Sequence, residues 1–441
     1  MTAGGTIAET RADGVTPAQA RRAALTALAA SSIEWYDFFI YGTAAALVFS
    51  QHFFPSASPV AGVLAAFATV AAGFVARPIG GILFGHFGDK IGRKKMLVGA
   101  LALMGVGTTL IGVMPTYQMI GVAAPILLVV LRCVQGFAVG GQWGGAMLVA
   151  TETAPPGKRG LYGSFAQLGV PVGLIAGNGI FLIASGVLAP EAFESWGWRV
   201  PFLLSIVMLG LAIFVHKRLE ETPAFRHAEE KRKSGPRRSP VLEVIRTQPK
   251  QILLASGSFL VVNSSFYVMV TGVLDYGTRN LGMSENTVLS AVLISNAAQI
   301  IVVPAFSALS DRIGRRKTYA IGAVLLGTWA FPMFLLIDTG QFPMMVLGLV
   351  GGATFLSIMY GPQAAMFAEM FSPEVRYSGA SLGYQLTAVV GGLAPGLMVV
   401  LIEVTKTSMS VSVYIAVLAA IALFCLWHIR PASDTEPQPA Q

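Results

Sequence analysis

The chain has 441 residues, 54% of them hydrophobic and only 12% charged, with a net charge of +8. That charge content is about half that of an ordinary soluble domain, which excludes a water-facing surface over most of the molecule. The basic surplus does not indicate nucleic acid, because Lys and Arg cluster in short segments between long apolar runs.

Residues 1–23 are polar, carry Arg11, Arg21 and Arg22, and lack a signal-peptide cleavage pattern, so they read as a short cytoplasmic tail. About a dozen apolar runs follow, each long enough to cross a hydrocarbon core about 30 Å thick. They fall at 24–50, 59–84, 96–114, 121–149, 161–185, 199–217, 251–275, 286–309, 318–338, 343–369, 377–404 and 410–430. Between the second and third runs stands GHFGDKIGRKK (85–95), and between the eighth and ninth SALSDRIGRRK (307–317). In these copies Asp89, Gly92, Arg93 and Lys95 match Asp311, Gly314, Arg315 and Lys317. So polar a block cannot lie in hydrocarbon, which predicts a tight loop at one membrane face. Its recurrence predicts a duplicated all-α membrane protein of two six-helix bundles, 24–217 and 250–430. A basic linker (218–249) joins them, and 431–441 form a second tail.

Of the 30 Lys and Arg residues, 25 fall in the tails, the repeated loops, the linker and the other segments on one side. By the positive-inside rule that side is cytoplasmic. The linker's basic residues suit anionic head groups as well as orientation. Glu152 and Arg159 close the fourth run, and Glu369 and Arg376 repeat the same separation after the tenth. With Asp89, Arg93, Asp311 and Arg315 they are candidates for a charged gate that forms in one conformation and separates in another.

Glu34 and Asp37 lie three residues apart in the first run, on neighbouring lines of one helical face, with Tyr41 beside them. Carboxylates are costly in a span unless they face a cavity, pair with cations or bind protons. Arg77 and Arg132 are the intramembrane cations. A rise of about 1.5 Å per residue puts Glu34 and Arg77 at similar depth and Asp37 and Arg132 near the bilayer centre. Direct pairs Glu34–Arg77 and Asp37–Arg132 are therefore expected. Glycines recur every fourth position in the fourth run (Gly136, Gly140, Gly144) and the fifth (Gly169, Gly173, Gly177), which lets helices approach closely. The second half carries neutral polar groups instead: Asn263, Tyr267, Asn296, Gln299, Tyr360, Gln363, Tyr384 and Gln385. Any of these can serve a solute or a contact between helices. Cys133 and Cys425 sit in separate spans, and no metal-ligand spacing or nucleophile–base pair occurs, so neither a metal site nor an enzyme is expected.

The repeated loop, the twelve spans and the basic linker resemble the major facilitator superfamily. EWYDFFIYG at Glu34, ARPIGG at Ala76, RCVQGFAVGGQWGGA at Arg132, SWGWRVPFLLS at Ser195 and LEETPAFR at Leu219 look like its metabolite:proton symporter branch. Members of that branch import α-ketoglutarate, citrate, shikimate, and proline or betaine. The resemblance implies two bundles rocking about a central site, with a proton carried by Asp37 and Glu34 beside it. A solute would meet Arg132, Tyr41, Gln135, Gln142, Trp143, Asn263, Tyr267, Asn296, Gln299 and Tyr384. Gln142 departs from the branch, which often has Glu there; with Gln the buried acids and bases balance.

The expectation is a monomeric carrier in the bacterial cytoplasmic membrane, both termini inside, driven by the proton gradient without a cofactor. Its cargo would be a small organic acid or zwitterion, shikimate-like or dicarboxylic, since a guanidinium binds a carboxylate through two parallel hydrogen bonds. The alternatives are a uniporter or exchanger that ignores protons, and a membrane solute sensor without flux.

Overall fold

The computed structural model describes residues 16–55, 59–207, 210, 240–373 and 375–429. The described chain is helical throughout its spans. Twelve elements are numbered here as α1 (Pro17–Ala44), α2 (Pro59–Ile91), α3 (Arg93–Val113), α4 (Ala123–Glu152), α5 (Arg159–Val187) and α6 (Val200–Leu204) in the first half. The second half holds α7 (Pro249–Arg279), α8 (Glu285–Ile313), α9 (Arg315–Ile337), α10 (Phe342–Met370), α11 (Arg376–Thr405) and α12 (Met409–His428). Among the described residues nine stretches are long and apolar enough to span a membrane by length and composition. The acids, aromatics and hydroxyls of α1 dilute its apolar character, and residues 208, 209 and 211–217 of the expected sixth span and most of the 218–249 linker lie outside the described residues.

The helix α1 starts at Pro17, inside the segment expected to be a tail. Thr16 explains this: its Oγ1 accepts from the Gln19 amide at 3.2 Å, and its own amide donates to Gln19 Oε1 at 2.8 Å. That reciprocal cap satisfies two donors at the helix start. The repeated segments also differ from the expected loops. Both are helical on either side, and only Gly92 (φ 116°) and Gly314 (φ 98°) break the helix. A Cβ is disfavoured at such φ values, so one glycine turns the chain through each corner. The motif thereby forms the ends of two helices.

The halves share their irregularities. A π turn interrupts the first helix of each, at Ala45–Phe49 and Val268–Gly272. Their fifth helices break at Leu168 and Leu393, where Pro171 and Pro395 each remove a hydrogen bond to the preceding turn. Packing runs α2 on α4 and α1 on α5 in the first half, with α8 on α10 and α7 on α11 in the second. The halves meet where α5 packs on α8 and α10, and α11 on α2.

Candidate functional site

The four charges expected inside the membrane are all buried, none more than 4% exposed. The structure pairs them differently from expectation. Arg132 does not form an ion pair with Asp37. Gln135, three residues along the same α4 face, stands between them. Its Nε2 donates to Asp37 Oδ2 at 3.0 Å and to Thr108 Oγ1 at 2.7 Å, while its Oε1 accepts from Arg132 Nη1 at 3.4 Å. The guanidinium is held away from Asp37 by aromatic faces, 4.2 Å from the Tyr41 ring centre and 5.5 Å from that of Phe38. Gly73 gives it room, since a Cβ there would lie 2.7 Å from Arg132 Nε. Tyr41 is fixed in turn by donating to Thr69 Oγ1 at 2.6 Å. Asp37 Oδ1 and Arg132 Nε remain without a protein partner. Asp37, Arg132, Gly73 and Met104 line a cavity of about 10 Å³, the scale of one water.

The Glu34–Arg77 pair is likewise absent. Arg77 Nε donates to Gln385 Oε1 at 3.1 Å, across the boundary between the halves, and Gln385 Nε2 donates to the Gly140 carbonyl at 3.0 Å. The reason is steric: Gln385 enters between α2 and α4 over Gly81, whose Cβ would stand 3.1 Å from Gln385 Cγ. Glu34 Oε2 has no partner. Gln142, placed among the solute residues, donates to the Ala30 carbonyl at 2.8 Å, one turn from Glu34.

Trp143 and Tyr384 meet face to face across the halves, ring centres 3.9 Å apart, and Phe259 stacks on the far side of Tyr384 at 4.6 Å. Trp143 Nε1 donates to Gln167 Oε1, and Gln167 Nε2 to the Tyr360 carbonyl, both at 2.9 Å. Tyr267 joins Phe38 and Phe74 in an aromatic cluster at the same boundary. Three expected solute residues are not brought to this centre by any bond. Asn263 donates to the Thr387 carbonyl, Asn296 to Val292 within its own helix, and Gln299 to Asn296. Thr108, Gln167 and Gln385 are the polar partners that depth along a helix does not reveal; Gln385 was visible only as one of several neutral polar groups.

Charged contacts form at the face bearing the repeated motif, and some of them cross the halves. Arg376 Nη1 lies 3.1 Å from Glu152 Oε1. Asp311 accepts from the backbone amides of Gly160 and Leu161 at 2.8 and 2.9 Å, capping the first turn of α5. Arg315 binds both Asp311 and Glu369 at 2.8 Å. Arg159 departs from expectation: it is exposed, because Glu369 is taken by Arg315 of its own half. The side chains of Asp89 and Arg93 lie outside the described residues.

Two helical halves enclosing buried charges, closed at one face by ion pairs, define a membrane carrier of small solutes. The sequence profiles of known families agree: residues 23–252 match "Sugar (and other) transporter" and residues 254–441 match "Major Facilitator Superfamily". The shikimate transporter of Escherichia coli (strain K12) is 41% identical over 390 residues, covering 88% of this chain and 89% of that protein. The inner membrane metabolite transport protein YhjE of the same organism is 38% identical over 418 residues (93% and 94%), and its proline/betaine transporter 33% over 410 (91% and 82%). Among solved structures, the proton:xylose symporter XylE matches with a TM-score of 0.74 at 15% identity, over 93% of this chain and 95% of that one. The chain belongs to the major facilitator superfamily, whose members here are transporters and not enzymes.

Proposed function

We propose that the protein imports a small organic acid together with a proton, working as a monomer in the bacterial cytoplasmic membrane with both termini in the cytoplasm. The observation that carries this reading is the relay Asp37–Gln135–Arg132, a carboxylate and a guanidinium sharing one amide instead of pairing directly. With Asp37 ionised, Gln135 turns its NH2 toward the carboxylate and its oxygen toward Arg132. Protonation of Asp37 turns a charged acceptor into a weaker neutral one with a donor of its own, which loosens the orientation of Gln135 and releases the guanidinium to a solute carboxylate. The buried charge count is then unchanged, since one negative charge enters as one is neutralised, which avoids the cost of an unpaired ion in low dielectric. The proton gradient is the only driving force this scheme needs, and no cofactor takes part.

The 41% identity to a shikimate transporter supports a shikimate-like acid as cargo, and the proline/betaine relatives support a zwitterion next. In proteoliposomes, Asp37→Asn should abolish acid-driven accumulation of shikimate while leaving counterflow exchange measurable. A variant that still concentrates solute under a proton gradient overturns the scheme. Gln142 favours a second reading, exchange without coupling, because the buried acids and bases already balance. Uptake by the unaltered protein that persists when an uncoupler collapses the gradient selects it.

A further inference from the structure

Beyond the relay, α1, α4 and α10 bring together buried polar atoms that no protein group satisfies. Glu34 Oε2, Gln142 Oε1, the Tyr360 hydroxyl and both amide atoms of Gln363 lack partners. All four residues are at most 5% exposed. Such atoms are costly when left unpaired, and buried polar groups in native proteins are nearly always paired. Gln142 anchors to Ala30, one turn before Glu34. Trp143, next to Gln142, is linked through Gln167 to the Tyr360 carbonyl, and Gln363 sits one turn from Tyr360 on α10. The Trp143–Tyr384 stack joins the two halves beside them.

We infer that Glu34, Gln142, Tyr360 and Gln363 form a hydroxyl-binding pole, so that the cargo is a monocarboxylic acid with several ring hydroxyls. This deepens the reading above and rests on it, with Arg132 holding the carboxylate at the other pole, about one turn of α1 away. The chemistry discriminates among cargoes. Two unpaired oxygens, Glu34 Oε2 and Gln142 Oε1, call for donors. A quaternary ammonium has none to give, and a second carboxylate would meet Glu34 with like charge. Hydroxyls both donate to these oxygens and accept from Tyr360 and the Gln363 amide. Glu34 thus acts as a solute ligand, and Asp37 alone carries the proton.

The test is binding to the full-length carrier in detergent, by calorimetry or thermal shift, with shikimate, the same ring acid lacking hydroxyls, shikimate methyl ester, glycine betaine and α-ketoglutarate. Shikimate is expected to bind at least about tenfold tighter than the bare ring acid, because each lost hydroxyl leaves a buried group unpaired. That ratio should fall toward one in Tyr360→Phe and in Gln142→Leu. In proteoliposomes Glu34→Gln should weaken shikimate binding without moving the pH profile of uptake. Equal affinity for the hydroxylated and bare acids overturns the proposal. So does glycine betaine or α-ketoglutarate binding as tightly as shikimate, or a pH profile displaced by Glu34→Gln. If the methyl ester binds as well as the acid, the carboxylate role of Arg132 fails while the hydroxyl pole stands.

Discussion

In the proposed scheme Gln135 is the residue on which coupling would turn. An amide can donate and accept at once, so it transmits the state of a carboxylate to a guanidinium that the carboxylate does not touch. Its second donor bond, to Thr108, fixes the side chain along the axis between α3 and α4. Gln135→Leu keeps the volume and removes all three bonds. Two buried charged groups then lose their shared partner, at about 1–3 kcal/mol in a state that must form during transport. Initial-rate uptake of labelled shikimate should fall at least about tenfold, and Thr108→Val, which removes one bond of three, should have a smaller effect. Full uptake by Gln135→Leu would mean that Asp37 reaches Arg132 by another route.

At the scale of the helices, α2 and α4 are held closer than side chains permit. A Cβ on Gly136 would stand 2.1 Å from the Gly73 carbonyl oxygen, and one on Gly140 the same distance from that of Arg77. This is backbone against backbone, which no rotamer change can relieve. Packing rather than hydrophobicity holds membrane helices together, so such contacts set their spacing. Gly136→Ala should therefore lower the Tm in detergent by roughly 5 °C, the scale of 1–3 kcal/mol of overpacking. Gly42→Ala and Gly99→Ala meet nothing within 4 Å and should not; equal losses at all three would point to helix flexibility instead. The close approach was legible in the sequence, as were the spans and the duplication, because hydrocarbon forces long apolar runs and close crossing forces small residues at fixed spacing. Partners of the buried charges were not. Helix rise gives the depth of Glu34 and Arg77 but not the direction each faces, and it says nothing of Gln385, 308 residues from Arg77, entering between them. The extent of the helices through 85–95 was hidden for a related reason: charge marks the membrane face, not the point where a helix ends.

Across the whole molecule, the contacts at the motif-bearing face decide which way the carrier opens. Glu152 and Arg376 belong to different halves, and so do Asp311 and the α5 amides it caps, so these bonds exist only while that face is shut. The Glu152 side chain is 4% exposed and that of Arg376 18%, which places the pair between a surface bridge and a buried one. A pair of that kind contributes about 1–3 kcal/mol to the closed state, and each 1.4 kcal/mol is tenfold in the closed-to-open ratio. Charge reversal at either residue, Glu152→Arg or Arg376→Glu, should therefore shift that ratio toward open by about 10–100-fold. Spin labels placed on the two halves at this face would report longer distances, and, with this face cytoplasmic as proposed, accumulation would fall because the outward-facing state is depleted. The double reversal restores opposite charges at the same separation. It should return both the distances and the uptake toward those of the unaltered protein. Recovery identifies the pair as a gate that opens and closes in each cycle. Single variants with unchanged distances would instead mark it as a charge placed only to orient the chain in the membrane.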